Sequence, residues 1–473
     1  MNLSSSPFTV VFWFLQLSVH ATGTNTLRMA SALSTAMDTP WAASQACEVV
    51  QQKLGSADVD LACVFFNPQH IEHVEALSDT IREKLRPGVM VGVSTCAAIA
   101  GGVEVERGAG LSILACSMPG VTIRTFSPND LPAVDTPDAA IHEWGPVVGA
   151  SDELRATMLL VDPTSVPIMK LLPMFNAAVG TQRNVALADN PRRKAPVLFG
   201  GIASATNKAG GNVLLLDDKM PRHGLVGVSL SGKLHVDTVV SQGCKPFGPT
   251  MVVTKAKNNM IFELGGRRAL DVVQEAVEEL GDDPRAALQG GLYAGVVIDE
   301  YKPRFGRDDF LIRNVVGVDA DLGCIALADF VRVGQTVRMH VRDKKTASED
   351  LALLMDAQRL YDPPDGALLI TCNGRGERTF GVRNHDVAAV QRAFTQDRAG
   401  PDAAGGGLYL DPSAAAPIPL AGFHAAGAGL YLDPSAAAPI PMAGFHAAGE
   451  IGPVGNSSFL HGQTACVAMF RGA

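Results

Sequence analysis

The side chains best suited to chemistry lie directly after short apolar runs. Residues 368–376 read LLITCNGRG, so an apolar run ends in a turn that carries Cys372, Asn373 and Arg375. Apolar runs of this length bounded by turn residues are typical of buried strands, and two glycines let the backbone turn sharply. The planar guanidinium of Arg375 suits a carboxylate or a phosphate. The stretch therefore predicts a ligand contact, or alternatively a tight turn in which Arg375 pairs with a structural carboxylate.

A second stretch, residues 443–462, carries Glu450 as its only acid, with His446 and His461 on either side. Its glycines predict a loop, because they leave little room for regular structure. Glu450 could form a structural clamp with Arg375. The other arrangement is that of an amino-acid sensor, in which Arg375 holds the ligand's carboxylate and Glu450 holds its amino group.

Two further strand ends deliver polar side chains to glycine-containing turns. Ser94, Thr95 and Cys96 follow a predicted strand at 89–93, and Gln242 and Cys244 lie at the end of another. Ligands tend to bind outside the carboxyl ends of strands in sheets with helical cover. A simple strand-to-turn connection is the alternative. The predicted ligand-binding residues are Ser94, Thr95, Cys96, Gln242, Cys244, Cys372, Asn373, Arg375, Glu450 and His461.

A catalytic interpretation needs a nucleophile and a base. Cys372, Cys244 or Cys96 could be the nucleophile, and His446 or His461 the base, since a Cys–His pair is a legitimate arrangement. However, no Gly-x-Ser-x-Gly elbow or caspase-like signature surrounds any of these cysteines. We therefore predict no catalytic residues. A cysteine-dependent enzyme acting on a small metabolite and an interaction scaffold without a ligand stay as the alternatives.

Metal and cofactor binding have little support in the sequence. His70 and His73 share a predicted helix face, but no other ligand is placed beside them, so a surface pair is the better interpretation. No phosphate-binding loop occurs, and no GxGxxG motif follows a strand. The sequence therefore predicts neither a metal nor a cofactor.

Composition excludes several classes of protein. The 473 residues are 47% hydrophobic and carry a net charge of −9, from 39 basic and 48 acidic residues. Without a long basic run, a nucleic-acid partner is not expected. Eight scattered cysteines without a Cys-x-x-Cys pair argue against a zinc ribbon or a dense disulfide framework and favour a reducing compartment. No twenty-residue apolar span is present, so we predict a soluble protein that does not enter a membrane.

The N-terminal segment differs from the rest of the chain. Residues 1–28 contain no acid, and the apolar run at 8–19 is too short to span a bilayer. A secretory signal would need a basic n-region, which is absent. We predict that residues 1–30 are a leader or transit segment outside the fold; the alternative is that Met29 is the true start.

Helix and strand patterns mix along the chain without strict β-α-β alternation. Residues 110–126 are predicted to form a hairpin, residues 212–242 a meander, and residues 250–264 a strand-turn-strand unit. Ser348 is predicted to cap a helix at 349–360. This order favours an α+β (α/β-like) fold with two lobes of mixed, largely antiparallel β-sheets covered by helices.

An internal repeat is evident near the C-terminus. Residues 407–428 and 429–450 are identical except at Leu420/Met442 and Ala428/Glu450. Two copies are too few for a solenoid. We expect the second copy, which carries Glu450, to occupy the native position and the first to form a surface loop. The Asp-Pro-Ser-Ala-Ala-Ala-Pro segments are expected to be mobile.

Several motifs together resemble the FIST family (F-box and intracellular signal transduction domains), with both its N- and C-terminal domains. The motifs are GVSTCAAIAGG at 92–102, FGGIASATN at 199–207, GLVGVSLSGKLHVDTVVSQGCKPFG at 224–248, DFLIRNVVGVD at 309–319, VRDKKTASEDL at 341–351, LLITCNGRGERTFG at 368–381 and AGFHAAGEIGPVGNSSFLHG at 443–462. The similarity is greatest to stand-alone members from cyanobacteria and photosynthetic eukaryotes.

The resemblance implies a FIST N-like domain at 31–243 and a FIST C-like domain at 244–473, the latter containing the duplication at 407–450. It also implies a sensory protein that binds a small molecule such as an amino acid. Nothing in the sequence resembles an F-box or an output domain, so signalling would pass through a separate, unknown protein partner. A plastid leader would place the protein in the chloroplast, with the cytoplasm as the alternative.

Overall fold

A computed structural model describes residues 26–180, 195–280, 288–306, 309–395 and 440–473, together with two short strand segments at 424–425 and 430–431. The predicted α+β class is confirmed, because strands and helices mix throughout the described chain. The strands are β1 Arg28–Ser34, β2 Leu61–Phe66, β3 Val89–Ser94, β4 Ala98–Ala100, β5 Val103–Val105, β6 Leu111–Ser117, β7 Val121–Phe126, β8 Leu154–Val161, β9 Val197–Ile202, β10 Leu214–Leu216, β11 Leu225–Gly232, β12 Leu234–Ser241, β13 Cys244–Lys257, β14 Met260–Leu264, β15 Arg267–Arg268, β16 Leu292–Val297, β17 Phe310–Asp319, β18 Cys324–Leu327, β19 Thr336–Arg342, β20 Gly366–Cys372, β21 His424–Ala425, β22 Leu430–Tyr431, β23 Met442–Ala447, β24 Glu450–Val454, β25 Ser457–His461 and β26 Ala465–Gly472.

Helices cover the outer faces of the sheets. In the described residues they are α1 Thr39–Leu54, α2 Val74–Leu85, α3 Pro137–Glu143, α4 Gly145–Val148, α5 Ile168–Val179, α6 Ala269–Glu278, α7 Lys344–Ala357, α8 Glu377–Phe380 and α9 His385–Thr395. No helix in these parts of the chain combines the length and the apolar character that crossing a bilayer requires.

Three sheets share one central core. Their strand orders are β1-β6-β2-β3-β10, β25-β24-β9-β8-β11-β7 and β12-β26-β20-β23-β4-β5. Aromatic rings link different sheets across this core: Phe65 stacks on Phe445 at 4.9 Å, and Phe199 meets Phe470 edge-on at 6.3 Å between ring centroids. The opposite faces pack against α1 and α2, against α3 to α5, and against α7 and α9 respectively.

Burial on both faces explains why the central strands read as continuous apolar runs. In β2, Leu61, Cys63 and Phe65 enter the central core, whereas the alternate residues face α1 and α2. In β20, Leu368 and Ile370 enter the same core, and their neighbours face α7 and α9. The apolar run that opens the LLITCNGRG stretch is therefore the buried strand that its composition predicts.

A fourth sheet forms a closed antiparallel barrel. Its order is β13-β19-β16-β17-β18-β14-β15, and an additional pairing between β13 and β14 closes the ring. Helix α6 packs its apolar side against this sheet through Ala269, Val272, Val273 and Ala276. The predicted strand-turn-strand unit at 250–264 is part of the barrel, as the antiparallel pair β13 and β14.

Strands from both ends of the chain pair within the same sheets. β26 pairs with β12, β23 with β4, and β24 with β9. The predicted domain boundary between residues 243 and 244 stays a prediction. Each of these three pairings joins a strand before that boundary to a strand after it. β1 begins at Arg28 and pairs with β6 along its whole length, so residues 28–30, predicted to belong to the leader, are part of the fold.

Four local predictions are wrong. The two strands of the predicted hairpin at 110–126 belong to different sheets, as do the three strands of the predicted meander. Ser348 lies inside α7, whose N-cap is Asp343. Residues 443–462 form β23, β24 and β25 instead of a loop. The glycines there permit close packing: a Cβ at Gly444 would collide with the carbonyl oxygen of Leu369, and one at Gly452 with Val240.

Candidate functional site

Parallel strand pairs deliver the predicted site residues to one region. The pairs are β2/β3, β8/β9 and β20/β23, one in each sheet that shares the central core. Backbone hydrogen bonds link the carboxyl ends of different pairs: Ser204 N–H donates to the Ser94 carbonyl, and Ala448 N–H donates to the Ile202 carbonyl. Because carboxyl ends of parallel neighbours meet at one edge, three such edges converge here.

Arg375 turns back into the protein after β20 and is fully buried. Its Nε donates to Asp386 Oδ2 at 2.7 Å, and its terminal nitrogen donates to Oδ1 at 2.9 Å. Thr371 and His385 also bond this carboxylate, at 2.5 and 2.8 Å. The predicted clamp between Arg375 and Glu450 is therefore wrong, since Asp386 is the partner that takes the guanidinium fork.

The ion pair between Arg375 and Asp386 balances the two buried charges. Burial would raise the pKa of Asp386, but Arg375, aided by His385, holds that pKa well below its usual range. The carboxylate therefore stays ionised and neutralises Arg375. The remaining nitrogen of Arg375 faces the Gln463 carbonyl at 3.5 Å and lies beside Gly243, where a Cβ would come within 3.0 Å of it.

Glu450 lies close to Arg375 in a different chemical state. Its side chain is fully buried, and Oε2 accepts a hydrogen bond from Thr464 N–H at 3.1 Å. Burial raises the pKa of Glu450 well above its usual value, although Thr464 and Arg375 oppose that shift. Burial therefore favours the protonated, uncharged form of the carboxyl group. Among the described residues, Oε1 has no N–H or O–H partner.

His461 and Gln463 also present unpartnered atoms. His461 Nε2 bonds the Gly452 carbonyl at 2.9 Å and is therefore the protonated nitrogen, which leaves Nδ1 as a buried acceptor without a partner in the described chain. Burial lowers the pKa of His461 to about 4, so the ring is neutral. Gln463 Oε1 is likewise unpartnered, and Gln463 has a φ of 66°, a backbone conformation that costs free energy outside glycine.

The two buried thiols of the predicted site are protonated. Burial raises the pKa of Cys372 to about 12, with Glu450 adding to the shift. Burial raises the pKa of Cys244 to about 12 as well. A nucleophilic cysteine needs a lowered thiol pKa, so these environments oppose the thiolate that the cysteine-enzyme alternative requires.

We name Cys372, Arg375, Glu450, His461 and Gln463 the buried polar cluster. The first four were predicted from the sequence, and Gln463 was not. Thr464 connects the members: its N–H donates to Glu450, and its carbonyl accepts from Cys372 N–H at 2.9 Å. The proximity of these residues arises from β20, β24 and β25, which belong to two different sheets.

The other predicted residues have structural partners. Ser94 Oγ accepts from Val213 N–H at 2.9 Å, and Thr95 Oγ1 donates to the His446 carbonyl at 2.8 Å. Cys96 is only partly buried, and its N–H donates to Ser204 Oγ at 3.0 Å. These three residues lie beside the end of β23 and border the buried polar cluster without joining it.

Gln242 and Asn373 occupy the edges of the region. Gln242 bonds the backbone of β17 on both sides of Leu311, with Nε2 donating to the Phe310 carbonyl at 2.8 Å and Oε1 accepting from Ile312 N–H at 3.0 Å. The side chain of Asn373 is exposed. The turn that Asn373 begins is anchored by Arg342, which donates to the Gly374 carbonyl at 2.6 Å.

A small cavity lies next to the cluster, at the connection between β12 and β13. It has room for about one water molecule. The residues that line it are Val240, Gln242, Gly243, Cys244, Ile312, His340 and Asp350. They come from the central sheets, the barrel and α7, so the cavity lies where three parts of the fold meet.

Sequence reasoning missed Asp386, Gln463 and Arg342. Asp386 stands in the first turn of α9 and could have been suspected as an acid there, since acids favour helix N-termini. Gln463 carries no local signal. Arg342 ends the barrel strand β19, and its contact with Gly374 depends on the docking of the barrel against β20.

Comparison with known proteins agrees with the motifs. The FIST N domain model matches residues 60–267, and the FIST C domain model matches residues 269–405. An uncharacterized protein of Mycobacterium tuberculosis is 32% identical over 447 residues, covering 94% of this chain and 100% of the relative. An uncharacterized protein of Mycobacterium bovis is 31% identical over 448 residues, covering 94% and 99%. Among solved structures, a cyanuric acid hydrolase from A. caulinodans matches 56% of this chain and 80% of its own, at 10% identity and a TM-score of 0.22.

Fold and site together define an α+β protein with an enclosed polar cluster at the junction of its sheets. The family models match well over half of the sequence. The chain belongs to the FIST family, whose N- and C-terminal domains are sensory domains. The predicted resemblance is therefore confirmed.

Proposed function

We propose that this protein is a sensory protein that binds a small polar metabolite at the buried polar cluster and passes the signal to a separate protein partner. One observation carries the proposal: Glu450 Oε1, His461 Nδ1 and Gln463 Oε1 are buried without an N–H or O–H partner in the described chain. The Cys372 thiol is the hydrogen-bonding group that faces the Glu450 carboxyl. Each such atom costs about 1–3 kcal/mol of stability. A ligand that bonds all three recovers much of that cost.

The protonation states define the chemistry of the ligand. A protonated Glu450 offers a hydrogen-bond donor, whereas neutral His461 and the Gln463 carbonyl offer acceptors. The charge of Arg375 is already matched by Asp386. These features favour an uncharged group with both donor and acceptor atoms, such as a carboxamide.

The amino-acid ligand expected from the sequence would require a different protonation state of Glu450 and a different partner for Arg375. An ammonium group at Glu450 requires an ionised carboxylate, so binding would release the Glu450 proton. A ligand carboxylate at Arg375 would compete with Asp386, which already holds two of its nitrogens. Amino acids and their amides are therefore the two ligand classes to compare.

Ligand entry requires movement. The cavity beside the cluster accommodates about one water molecule, so a metabolite can enter only if the connection between β12 and β13 moves away from the barrel and α7. A ligand that binds the opened form better shifts the population toward it. That displacement is the change that a protein partner would detect.

A thermal-shift screen of amino acids and their amides tests the proposal. A specific ligand at 100 times its Kd adds roughly 2.7 kcal/mol of stability and gives a saturable rise in melting temperature. The proposal is wrong if no compound of either class gives a saturable shift, or if the shift of the best compound is the same in Glu450→Gln and Gln463→Ala as in wild type.

Glu450→Gln distinguishes the ligand classes, because glutamine resembles the protonated acid and cannot ionise. An amide ligand keeps its affinity in this variant, and in wild type its affinity falls when alkaline pH ionises Glu450. A zwitterionic amino acid loses affinity in the variant, and in wild type its affinity rises with pH. Glu83→Gln, on the exposed side of α2, is the matched control and should change neither behaviour.

The chloroplast location predicted from the N-terminal residues receives no support from the mycobacterial relatives. Residues 1–25 lie outside the described chain, and the location does not form part of the proposal.

A further inference from the structure

A second group of side chains lies on the outer side of the ion pair, between α7 and α9. Ser348 Oγ is 2.7 Å from His385 Nε2, and His385 Nδ1 is 2.8 Å from Asp386 Oδ1. These contacts place a hydroxyl, an imidazole and a buried carboxylate in series. That is the arrangement by which serine hydrolases are recognised on unrelated folds, by geometry rather than by position in the sequence.

The imidazole is held in orientation from two directions. Its ring lies parallel to Phe380, with 3.5 Å between centroids and 3° between planes. Asp386 is fully buried, and Thr371 and Arg375 fill its other acceptor positions. Because this carboxylate stays ionised, the adjacent Nδ1 carries the ring proton. The lone pair of Nε2 is then directed at Ser348.

Ser348 is more exposed to solvent than the buried thiols Cys244 and Cys372. Ser348 is partly buried on α7, and the His385 side chain is 14% exposed. Both residues keep some contact with solvent, whereas Cys372 is buried. The hydroxyl also lies 2.9 Å from the Lys344 carbonyl. A rotation about the Cβ–Oγ bond of Ser348 selects whether the Lys344 carbonyl or His385 Nε2 receives its proton.

We propose that Ser348, His385 and Asp386 form a hydrolytic triad that cleaves small carboxylic esters. Ser348 Oγ attacks the ester carbonyl carbon while its proton moves to His385 Nε2. The C–O bond to the leaving alcohol then breaks, and that alcohol takes the proton from His385. Water next attacks the acyl-serine, passes a proton to His385, and releases the carboxylic acid as the proton returns to Ser348.

Asp386 acts through His385, so it is a positioning residue. Neither Ser348 nor His385 belongs to the buried polar cluster, although Asp386 pairs with its member Arg375. If the protein binds a metabolite but cleaves no ester, the triad is wrong and the metabolite site stands. If it cleaves esters but binds no metabolite, the metabolite site is wrong and the triad stands.

Two measurements test the triad on the full-length protein. The first is labelling with a fluorophosphonate probe, followed by peptide mass spectrometry to locate the modified residue. The second is hydrolysis of p-nitrophenyl acetate above the buffer rate. The variants are Ser348→Ala, His385→Gln and, as a matched control, Ser44→Ala, whose helical serine bonds Glu48 and no histidine.

We expect the probe to modify Ser348 in wild type and in the Ser44→Ala variant. Ser348→Ala should lose labelling and hydrolysis, and His385→Gln should lower hydrolysis by roughly 10²- to 10⁴-fold, the usual contribution of a general base. Thermal melting confirms that each variant is folded. No modification of Ser348 in the wild-type protein overturns the proposal, and this result does not depend on any variant. Hydrolysis that persists in folded Ser348→Ala also overturns it.

Discussion

Replacing Arg375 by methionine tests the central electrostatic feature of the site. Arg375 and Asp386 are both fully buried, and the guanidinium makes two hydrogen bonds to the carboxylate, at 2.7 and 2.9 Å. Methionine keeps an unbranched apolar side chain and removes the guanidinium with its charge. Asp386 then remains as a buried anion supported only by Thr371 and His385.

The expected cost is about 3–5 kcal/mol, the usual effect of removing one partner of a buried ion pair. Asp386→Asn should cost a similar amount, because it leaves Arg375 buried without a counter-charge. The double variant should cost less than the sum of the single variants, by roughly 1–3 kcal/mol. Arg383→Met is the matched control: Arg383 pairs with Glu377 at 3.3 Å but is 72% exposed, so its loss should cost no more than about 1 kcal/mol.

Urea unfolding of the ligand-free protein, followed by circular dichroism, measures these free energies. A second cycle with Arg375→Met and Glu450→Gln should show weaker coupling, because Asp386 takes the guanidinium and burial favours the uncharged form of Glu450. The reasoning is refuted if Arg375→Met costs no more than Arg383→Met. It is also refuted if Arg375 couples more strongly to Glu450 than to Asp386.

Further predictions concern protonation, thiol access and the repeat. The raised pKa of Glu450 means that the folded chain keeps a proton which the unfolded chain loses above about pH 4.3. Stability should therefore fall as the pH rises above that value, and urea unfolding at about pH 5 and about pH 8 should show a smaller fall for Glu450→Gln; an unchanged fall would contradict the protonated state. Burial lowers the pKa of His461 to about 4, so acid should destabilise the wild-type protein as the pH falls from about 6.5 toward 4. His461→Gln should reduce that loss by up to roughly 3 kcal/mol in the same assay, and an equal loss in both proteins would show that His461 is already charged in the fold. A thiol probe at neutral pH should label Cys96, which is partly exposed, well before Cys372, and rapid labelling of Cys372 in folded protein would revive the cysteine-enzyme alternative. Deletion of residues 407–428 should leave stability nearly unchanged, because each doubling of loop length costs only about 0.6 kcal/mol, and a large fall in melting temperature would show that the first copy packs natively. Deletion of residues 429–450 instead gives a chain that differs from the first deletion only in having alanine in place of Glu450 and leucine in place of Met442. This second deletion should abolish the ligand-induced stabilisation that the first deletion preserves.

The local sequence predicts those strands in which every residue is buried. The strands β2 and β20 are recognisable because both faces are covered, which makes every position apolar. Helix α7 shows the limit of this approach: Ser348 was taken for its cap, whereas Asp343 caps it five residues earlier. The charged first turn of α7 carries no apolar periodicity, so its start is visible only through the hydrogen bond from the backbone to Asp343.

The second copy of the repeat was predicted to occupy the native position, and its residues 442–447 form β23 beside β20. The first copy lies largely outside the described residues, as do both Asp-Pro-Ser-Ala-Ala-Ala-Pro segments, so its placement on the surface stays a prediction. Glycine-rich composition alone predicted a loop at 443–462. The backbone there forms strands, and glycine stands at 444 and 452 because Leu369 of the adjacent strand β20 and Val240 of β12 lie too close for a side chain.

The sequence by itself determined the family, the mixed α+β class, the buried strand before Arg375 and most of the residues near the site. Only the tertiary structure decided that Arg375 pairs with Asp386, that burial raises the pKa of Glu450, and that Ser348 faces His385. Residue types and spacing define local conformation and the groups available for chemistry. The partner and charge of a buried side chain depend on distance and desolvation, which arise only when strands far apart in the chain pack together.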